Sequence, residues 1–292
     1  MITVLIQLLV NGILLGAIYG IAAIGLSLIF GTMQIVFLAQ GTMIILAAYG
    51  SYWLFRPWSI DPYASILIVL PIALIVGAGF YEALFRKVSR QGKFPSLLIA
   101  FGLMALLENL MFVAFTGNAR ALQTSYAASA FNVLGINISF VRLLVLAMGL
   151  LGTVVVFFFL KKTILGKAVR AASENLDNAT LVGITPHTVN AITFALCIGL
   201  AGLAGVAVAT TYAFDPFAGF VFSLKAMIAL ALGGMGTVVG ALFGGILLGA
   251  VESYGSFFVG SGWADVIAYA VFLLVLMFKP EGLFTRDKSV KL

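Results

Sequence analysis

Five polar side chains stand inside runs of apolar residues that are long enough to cross a bilayer. They are Gln40, Glu108, Asn109, Lys225 and Glu252. An amide or a charge at membrane depth is costly unless it pairs, faces a water-filled cavity or becomes neutral. We interpret these residues as candidates for the wall of a substrate pathway. The alternatives are a structural hydrogen bond for Glu108, and interfacial positions with the side chain reaching for water for Lys225 and Glu252.

The sequence lacks the residues that a catalytic site or a metal site would need. The chain has one histidine, His187, and one cysteine, Cys197, so we expect neither a metal site, a Ser/His/Asp triad nor an intrachain disulfide. Gly166-Lys167 lacks the preceding glycine and the following hydroxyl residue of a phosphate-binding loop. We therefore expect a transport protein or channel rather than an enzyme, with no cofactor bound by this chain. Uphill transport would draw on ions through buried carboxylates or on an ATPase in another chain.

The composition indicates a polytopic membrane protein. Of 292 residues, 63% are hydrophobic and 9% are charged, and the apolar residues form continuous runs instead of the alternating pattern of a β-barrel. We predict an all-α transmembrane helical bundle, a single domain over residues 1–292. Twelve of the 16 lysines and arginines form three clusters, in 86–93, 161–170 and 279–291, which the positive-inside rule places in the cytoplasm.

The order of apolar runs and basic clusters predicts about nine spans and an external N-terminus. Two places are irregular: the stretch around Gln40 and the turn Gly233-Gly234-Met235-Gly236. If either is a re-entrant segment, the count is eight and the N-terminus is cytoplasmic. Broken helices of this kind are where transporters expose backbone groups to substrate.

Two sets of glycines recur every four residues. They are Gly12, Gly16 and Gly20 in the first apolar run, and Gly236, Gly240 and Gly244 near the end of the chain. A helix without side chains on one face lets a neighbouring backbone come close. We therefore assign both stripes to helix packing.

The longest polar run, residues 161–187, lies between two of the predicted spans. Its centre predicts a short helix with one apolar face, formed by Val169, Ala172, Leu176 and Ala179. Glu174, Asp177 and Asn178 then point outward, Gly183 ends the helix, and Thr185-Pro186 begins the next span. A capped cytoplasmic helix held between two membrane helices is suited to receiving a push from an external partner. The alternative is a solvated loop with one helical turn.

Several passages taken together resemble the permeases of branched-chain amino acid ABC importers, the LivH type. They follow one another in the order of that family over nearly the whole chain. The passages are Asn11-Gly12 with Gly16 and Tyr19, Glu174-Asn175-x-Asp177-Asn178-Ala179-x-Leu181-x-Gly183-Ile184, Asp215-Pro216-x-x-Gly219, Leu224-Lys225-Ala226, Gly233-Gly234-x-Gly236, Gly240-Ala241-x-x-Gly244-Gly245 and Lys279-Pro280-x-Gly282-Leu283-Phe284.

The resemblance implies a multi-pass permease of the prokaryotic cytoplasmic (inner) membrane. Its partners would be a second related permease, two ATP-binding subunits that use the ATP, and an extracytoplasmic substrate-binding protein, with no nucleic acid involved. The cytoplasmic loop 161–187 would carry the coupling helix that seats in an ATPase subunit. The residues this assigns to coupling are Glu174, Asn175, Leu176, Asp177, Asn178 and Gly183.

One passage departs from the family. The family usually has Asn-Phe-Ala-His-Gly-Glu where this chain has Phe37-Leu38-Ala39-Gln40-Gly41-Thr42, so three polar or ionisable positions change. This leaves a branched-chain amino acid, an amide or a urea-like compound open as substrate. Two other mechanisms also stay open on the residues alone: an ion-coupled carrier that uses Glu108 or Glu252, and a passive channel.

Overall fold

The computed structural model describes residues 2–89, 92–127, 129–133, 136–279 and 282–284. Arg90 of the first predicted basic cluster, Pro280 of the terminal motif and the basic residues after Phe284 lie outside the described residues. Along the described residues the chain forms the helices α1 (Ile2–Met33), α2 (Gln40–Trp58), α3 (Ile66–Phe80), α4 (Arg86–Val88), α5 (Lys93–Phe115), α6 (Phe140–Lys162), α7 (Ile164–Glu174), α8 (Leu176–Leu181), α9 (Pro186–Thr211), α10 (Gly219–Gly233), α11 (Val238–Phe258) and α12 (Ala264–Phe278).

The architecture is the predicted all-α polytopic bundle. Within the described ranges, seven helical stretches are long and apolar enough to cross a membrane, and the 15-residue α10 is a shorter apolar helix. A π-helical turn, Tyr81–Phe85, joins α3 to α4 and makes one continuous span of them. With α2 and α10, each of the nine apolar runs of the sequence contains a helix, which agrees approximately with the predicted number of spans.

Helix α1 lies at the centre of the bundle. Four-fifths of its most apolar window is buried, 83%, against 22% for α5 and 11% for the last span. It packs along α11 and also contacts α6, α9 and α10, while α2 and α3 pack on α9. The core therefore sits between α1, α9 and α11, and α5 is attached at the edge of the bundle.

The glycine stripes lie at these central contacts. The first stripe of α1 faces α11: a Cβ atom at Gly12 would lie 2.5 Å from Cα of Ala250, and one at Gly20 would lie 2.8 Å from the side chain of Leu242. Gly240 and Gly244 face α10 instead, against Gly233. Gly236 is not part of that helix. It stands in the preceding turn with φ +85°, a left-handed conformation that glycine adopts without strain.

The two ends of the bundle can be assigned from contacts. A short antiparallel hairpin, β1 (Ala130–Val133) and β2 (Ile136–Ser139), lies in the loop predicted to be external. Gln7 exchanges two hydrogen bonds of 2.7 Å with the backbone of Asn137 in this hairpin, and Arg142 donates to Asn11 at 3.2 Å. The N-terminal end of α1 therefore lies on the same side as the hairpin, as the nine-span prediction requires.

A separate turn precedes α3. Asp61-Pro62 has the residue types of a helix N-cap and first helical position, but α3 begins at Ile66, because Asp61 accepts a hydrogen bond from the backbone N–H of Tyr63 and so forms its own turn. The Asp61 carboxylate also accepts from Tyr126 at 2.7 Å, and burial, followed by this carboxylate, raises the pKa of the Tyr126 phenol. The second apolar run begins with a non-helical stretch, as the irregular sequence around Gln40 indicated, and α2 starts at Gln40.

Candidate coupling surface and translocation site

The cytoplasmic loop forms two helices, α7 and α8, where the sequence predicted one. They are separated at Asn175, whose backbone is extended (φ −158°, ψ 109°) and whose side chain accepts a hydrogen bond from the backbone N–H of Asn178 at 2.9 Å. Asn175 therefore ends α7 and caps α8, so its side chain has a structural role within the loop. Gly183, with φ +86°, ends α8, and the backbone N–H of Ile184 donates back to the carbonyl of Ala179.

The loop is fixed to the bundle by its apolar face. Val169, Ala172 and Ala179 are buried, and Leu176 is half-buried against the same core. At the start of α7, a Cβ atom at Gly166 would overlap the carbonyl of Phe159, because the chain folds back tightly at the end of α6. Because residues on both sides of Asn175 pack against the bundle, the loop is held rigidly on it.

The opposite face of the loop is open to solvent. Glu174, Asp177 and Asn178 are exposed, as the sequence predicted for a polar face. The structure adds two apolar residues that the sequence analysis did not select, Leu181 and Val182, with 85% and 77% of their surface exposed. Large apolar side chains exposed outside the membrane are typical of protein interfaces. The signal in the sequence was an apolar pair next to Gly183, at the very end of a polar helix.

A second place of interest is the start of α2, deep in the bundle. Gln40 is completely buried, with its Oε1 accepting from the thiol of Cys197 at 2.9 Å. Its amide nitrogen makes longer contacts, 3.4 and 3.5 Å, with the carbonyls of Ala22 and Cys197. In this conformation the predicted pathway residue Gln40 is enclosed between α1 and α9, and Cys197 is its polar partner.

The starts of α2 and α10 meet at this depth. Ser223 of α10 accepts a hydrogen bond from the backbone N–H of Gly41 at 2.8 Å and donates one to the carbonyl of Leu38 at 2.6 Å. A Cβ atom at Gly41 would overlap the carbonyl of Gly219. Helices α2 and α10 each begin after a non-helical stretch, 34–39 and 212–218, and we call them the interrupted helices. Their starts meet in a crossing, where Ser223 satisfies backbone groups that the interruption before α2 leaves free.

Glu108 and Asn109 lie on the outer side of this crossing, on α5. Glu108 accepts a hydrogen bond from Thr42, the third residue of α2, at 3.3 Å. Asn109 is exposed, and its amide nitrogen donates to the carbonyl of Ala105 one turn earlier. A half-buried carboxylate and an exposed amide at membrane depth are costly against lipid tails, which offer no hydrogen-bond partners.

Lys225 and Glu252 form a separate cluster. The Lys225 ammonium lies 2.8 Å from Glu252, 3.0 Å from Asp265 and 3.3 Å from the hydroxyl of Tyr19. The lysine is 8% exposed, so it does not reach for the membrane interface as the alternative reading required. Its three partners belong to α11, α12 and α1, and the ion pairs therefore hold α10 against three neighbours.

The selected coupling and pathway residues thus fall into four places. Glu174 to Gly183 lie on the candidate coupling surface, and Gln40 is buried against Cys197. Glu108 and Asn109 stand on α5 near Thr42, and Lys225 pairs with Glu252 inside the bundle. Thr42 and Ser223, which connect the interrupted helices to each other and to α5, were not selected from the sequence. Small hydroxyl residues inside apolar runs are too common to stand out there.

Comparison with known proteins gives a consistent result. Residues 8–276 match the family described as branched-chain amino acid transport system, permease component. The permease protein BraD of Pseudomonas aeruginosa, from a high-affinity branched-chain amino acid transport system, is 27% identical over 98% of this chain and 97% of its own length. LivH of Escherichia coli K12, the permease protein of such a system, is 27% identical with the same coverage.

A more distant relative and one solved structure extend this result. A probable branched-chain amino acid transport permease, LivH of Methanocaldococcus jannaschii, is 27% identical over 91% of this chain and 88% of its own length. The structure of PsaBC from Streptococcus pneumoniae in complex with Fab aligns over 96% of this chain and 97% of the matched chain, with a TM-score of 0.54 and 15% identity. At that identity the structural match supports the fold alone.

Proposed function

Because this chain belongs to the family of branched-chain amino acid transport system permease components, and is therefore a multi-pass permease subunit of the prokaryotic inner membrane, we propose that ATP hydrolysis on separate subunits drives its transport. The observation that carries this proposal is the surface of α8. It is anchored to the bundle by buried Ala179 and half-buried Leu176, and it presents exposed Leu181 and Val182 beside the acidic Asp177. An anchored element with an exposed apolar end fits a groove on a partner subunit and transmits its motion to the spans.

The proposed cargo is a branched-chain amino acid, since the relatives along nearly the whole chain are permeases of such systems. The proposed partners are a second related permease, two ATP-binding subunits and an extracytoplasmic binding protein. The chain itself would bind no cofactor, and the ATP would be used by the partner subunits. Alternating access would then move the cargo along the interface of the two permeases.

We place this chain's share of the pathway on the open face of α5. Glu108 and Asn109 stand there, and Thr42 at the start of α2 connects that face to the crossing of the interrupted helices. Polar groups on this face are stabilised if the second permease and a water-filled path cover it, and are costly if lipid does. The remaining predicted pathway residues, Gln40, Lys225 and Glu252, have partners inside the bundle in this conformation.

Reconstitution with and without the ATP-binding subunits tests the proposal. The full set of subunits should take up L-leucine against a gradient with ATP, and omission of the ATP-binding subunits should abolish uptake. Glu174→Lys should leave the spans folded and reduce the uptake obtained per ATP hydrolysed, while Glu174→Gln, which keeps the size of the side chain, should have a smaller effect. Uptake without ATP-binding subunits, or uptake that collapses with an uncoupler at constant ATP, would contradict the proposal and favour an ion-coupled carrier.

A further inference from the structure

A cavity of about 610 Å³ opens at the cytoplasmic end of the bundle, away from the face of α5 that carries Glu108. It lies between the end of α1, the π-helical turn after α3, the start of α5, the coupling helix α8 and the start of α9. Its walls include the polar residues Thr32, Arg86, Lys93 and Asn190. This volume lies within the range of small-molecule sites in proteins and is ample for one amino acid.

The cavity contains a buried hydrogen-bond acceptor that is not used. Asn190 is 7% exposed, and its Oδ1 has no hydrogen-bond partner among the described residues. Buried side-chain oxygens are rarely left in this state because desolvation without a donor is unfavourable. Asn190 stands one turn into α9, directly after the coupling loop, so a donor that enters the cavity meets it at the base of that loop.

The charges on the cavity wall leave a positive excess. Arg86 donates to Glu82 at 2.9 Å, and His187 lies 2.6 Å from the other oxygen of the same carboxylate. The acid is therefore already shared by two basic groups. Lys93 donates at 2.7 Å to Gln34, which is neutral, and has no acidic partner in the part of the chain that the structure describes. The cavity thus offers a cation for a carboxylate and, at Asn190, an acceptor for an ammonium group.

The coupling helix forms one wall of the same cavity. Leu176, the first residue of α8, lines it opposite residues of α1 and the π-helical turn. A molecule that fills the cavity therefore contacts α8 as well as the spans on the other side of the cavity. Any inward movement of α8 during the transport cycle has to displace that molecule, which makes occupancy of the cavity and the movement of α8 mutually opposed.

We propose that this cytoplasmic cavity binds a zwitterionic α-amino acid of the kind the permease delivers, and that its occupancy slows further import. The carboxylate pairs with Lys93 and the ammonium group donates to Asn190 Oδ1. The identity of the amino acid rests on the proposed function, whereas the need for both charges rests on the cavity alone. Binding at this site would cause product inhibition, because the site senses the concentration of the amino acid on the cytoplasmic side.

Proteoliposomes that contain the complete transporter with its cytoplasmic side facing the lumen test this proposal. The lumen is loaded with ATP and with or without unlabelled L-leucine, and the initial uptake of labelled L-leucine from the external binding protein is measured. We expect luminal L-leucine to lower the initial rate about fivefold or more, the lower range of typical coupling between two sites. Luminal 4-methylpentanoate, which lacks the ammonium group, and L-leucinamide, which lacks the carboxylate, should not inhibit.

Each variant is compared with itself through the ratio of its rates without and with luminal L-leucine. Lys93→Gln and Asn190→Leu should bring this ratio close to one. Lys87→Gln is the matched control, since Lys87 is an exposed lysine of α4 that does not line the cavity, and its ratio should stay at the wild-type value. A ratio unchanged in both cavity variants would overturn the assignment of the site.

The outcomes separate this inference from the proposed function. ATP-driven uptake that is insensitive to luminal L-leucine overturns the cavity proposal and leaves the importer intact. Equal inhibition by 4-methylpentanoate or by inorganic phosphate overturns the zwitterion and indicates a general anion site. If the complex transports no leucine at all, the proposed cargo is wrong, and calorimetric titration of other zwitterionic α-amino acids, such as L-alanine and L-methionine, into the purified complex still tests the cavity: no binding of any of them, or binding unaffected by Lys93→Gln and Asn190→Leu, overturns it.

Discussion

Helices α1 and α5 are both long apolar spans, yet they are held in opposite ways. Along α1, glycines bring the backbone against α11 so closely that a single added carbon at Gly16 or Gly20 overlaps its neighbour. Along α5, an added carbon at Gly102 meets nothing within 4 Å, and polar Glu108 and Asn109 stand at an open face. The first surface is buried within this chain, whereas the second is open, and the proposed function has the second permease cover it. The two helices therefore contrast a surface that holds the fold together with a surface that we propose serves transport.

The largest effect is expected at the closed surface. In Gly245→Leu, the side chain would overlap the backbone of Gly20, so α11 must move away from α1. Overpacking typically costs about 1–3 kcal/mol, and more where backbone has to shift. The thermal unfolding midpoint of the purified chain in detergent should fall clearly or the folded protein should be lost. Gly102→Leu, in the open space beside α5, is the matched control and should melt like the wild type; equal melting of both variants would remove the distinction between the two surfaces.

The exposed end of the coupling helix is an open surface of a second kind. Leu181→Asp removes an 85%-exposed apolar side chain and adds a charge, and should weaken binding of the ATP-binding subunit. An apolar anchor of an interface is worth about 2 kcal/mol or more, which corresponds to about 30-fold in affinity. Affinity of the purified permease for the ATP-binding subunit is the measurement. Ser173→Asp adds the same charge at an exposed position of α7 and should change affinity little. Wild-type affinity of Leu181→Asp would place the contact elsewhere.

Glu108→Leu should reduce transport while the chain stays folded. The change removes the acceptor of the Thr42 hydrogen bond and the carboxylate next to Asn109. A hydrogen bond to a charged group contributes about 1.5–3 kcal/mol, so uptake should fall about tenfold or more. Initial uptake by the reconstituted transporter, together with the melting temperature, measures both effects. Leu106→Ala is the control, because Leu106 is exposed about 160° around α5 from Glu108, on the side away from Thr42. Uptake at the wild-type rate by Glu108→Leu would indicate that this face contacts lipid and not a transport pathway.

The smallest effect is expected where the interrupted helices cross. Ser223→Ala removes one acceptor for the backbone N–H of Gly41 and one donor to the carbonyl of Leu38. Buried hydrogen bonds of this kind contribute about 1 kcal/mol each, so the melting temperature should fall by a few degrees. Ser173→Ala, which loses only a local bond to the carbonyl of Arg170 on an exposed helix, should leave it unchanged. If both variants behave alike, the crossing contributes nothing measurable to stability.

The fold class could be predicted well from the sequence, because membrane spans are set by local composition. Nine apolar runs predicted nine helices, and the order of basic clusters predicted an external N-terminus, on the side where Gln7 meets the hairpin. The starts of helices were less predictable. At Asp61 a local turn replaced the expected cap, and at Asn175 one side chain both ended a helix and began the next, which the pattern of apolar residues does not show.

The sites were predictable to different degrees. The polar face of the coupling helix followed from amphipathic spacing, and the resemblance to a known family assigned its role. The partners of buried polar residues did not follow, because each partner is far away in sequence: Gln40 with Cys197, and Lys225 with Glu252 and Asp265. The apolar runs of the sequence did not show whether a charged residue forms an ion pair inside the bundle or lines an open pathway.

The sequence by itself determined that this chain is a membrane-embedded helical protein with a polar cytoplasmic loop, and the order of its motifs indicated the permease family. Bilayer length, charge asymmetry and motif order can all be read from short stretches of the sequence. Tertiary structure alone decided which glycines face which helix, which polar groups are satisfied, and that Lys93, Leu176 and Asn190 share one cavity. Those properties depend on which surfaces meet when the helices pack. The surfaces that meet are set by contacts between residues that are distant in the chain, and no local sequence pattern indicates such contacts.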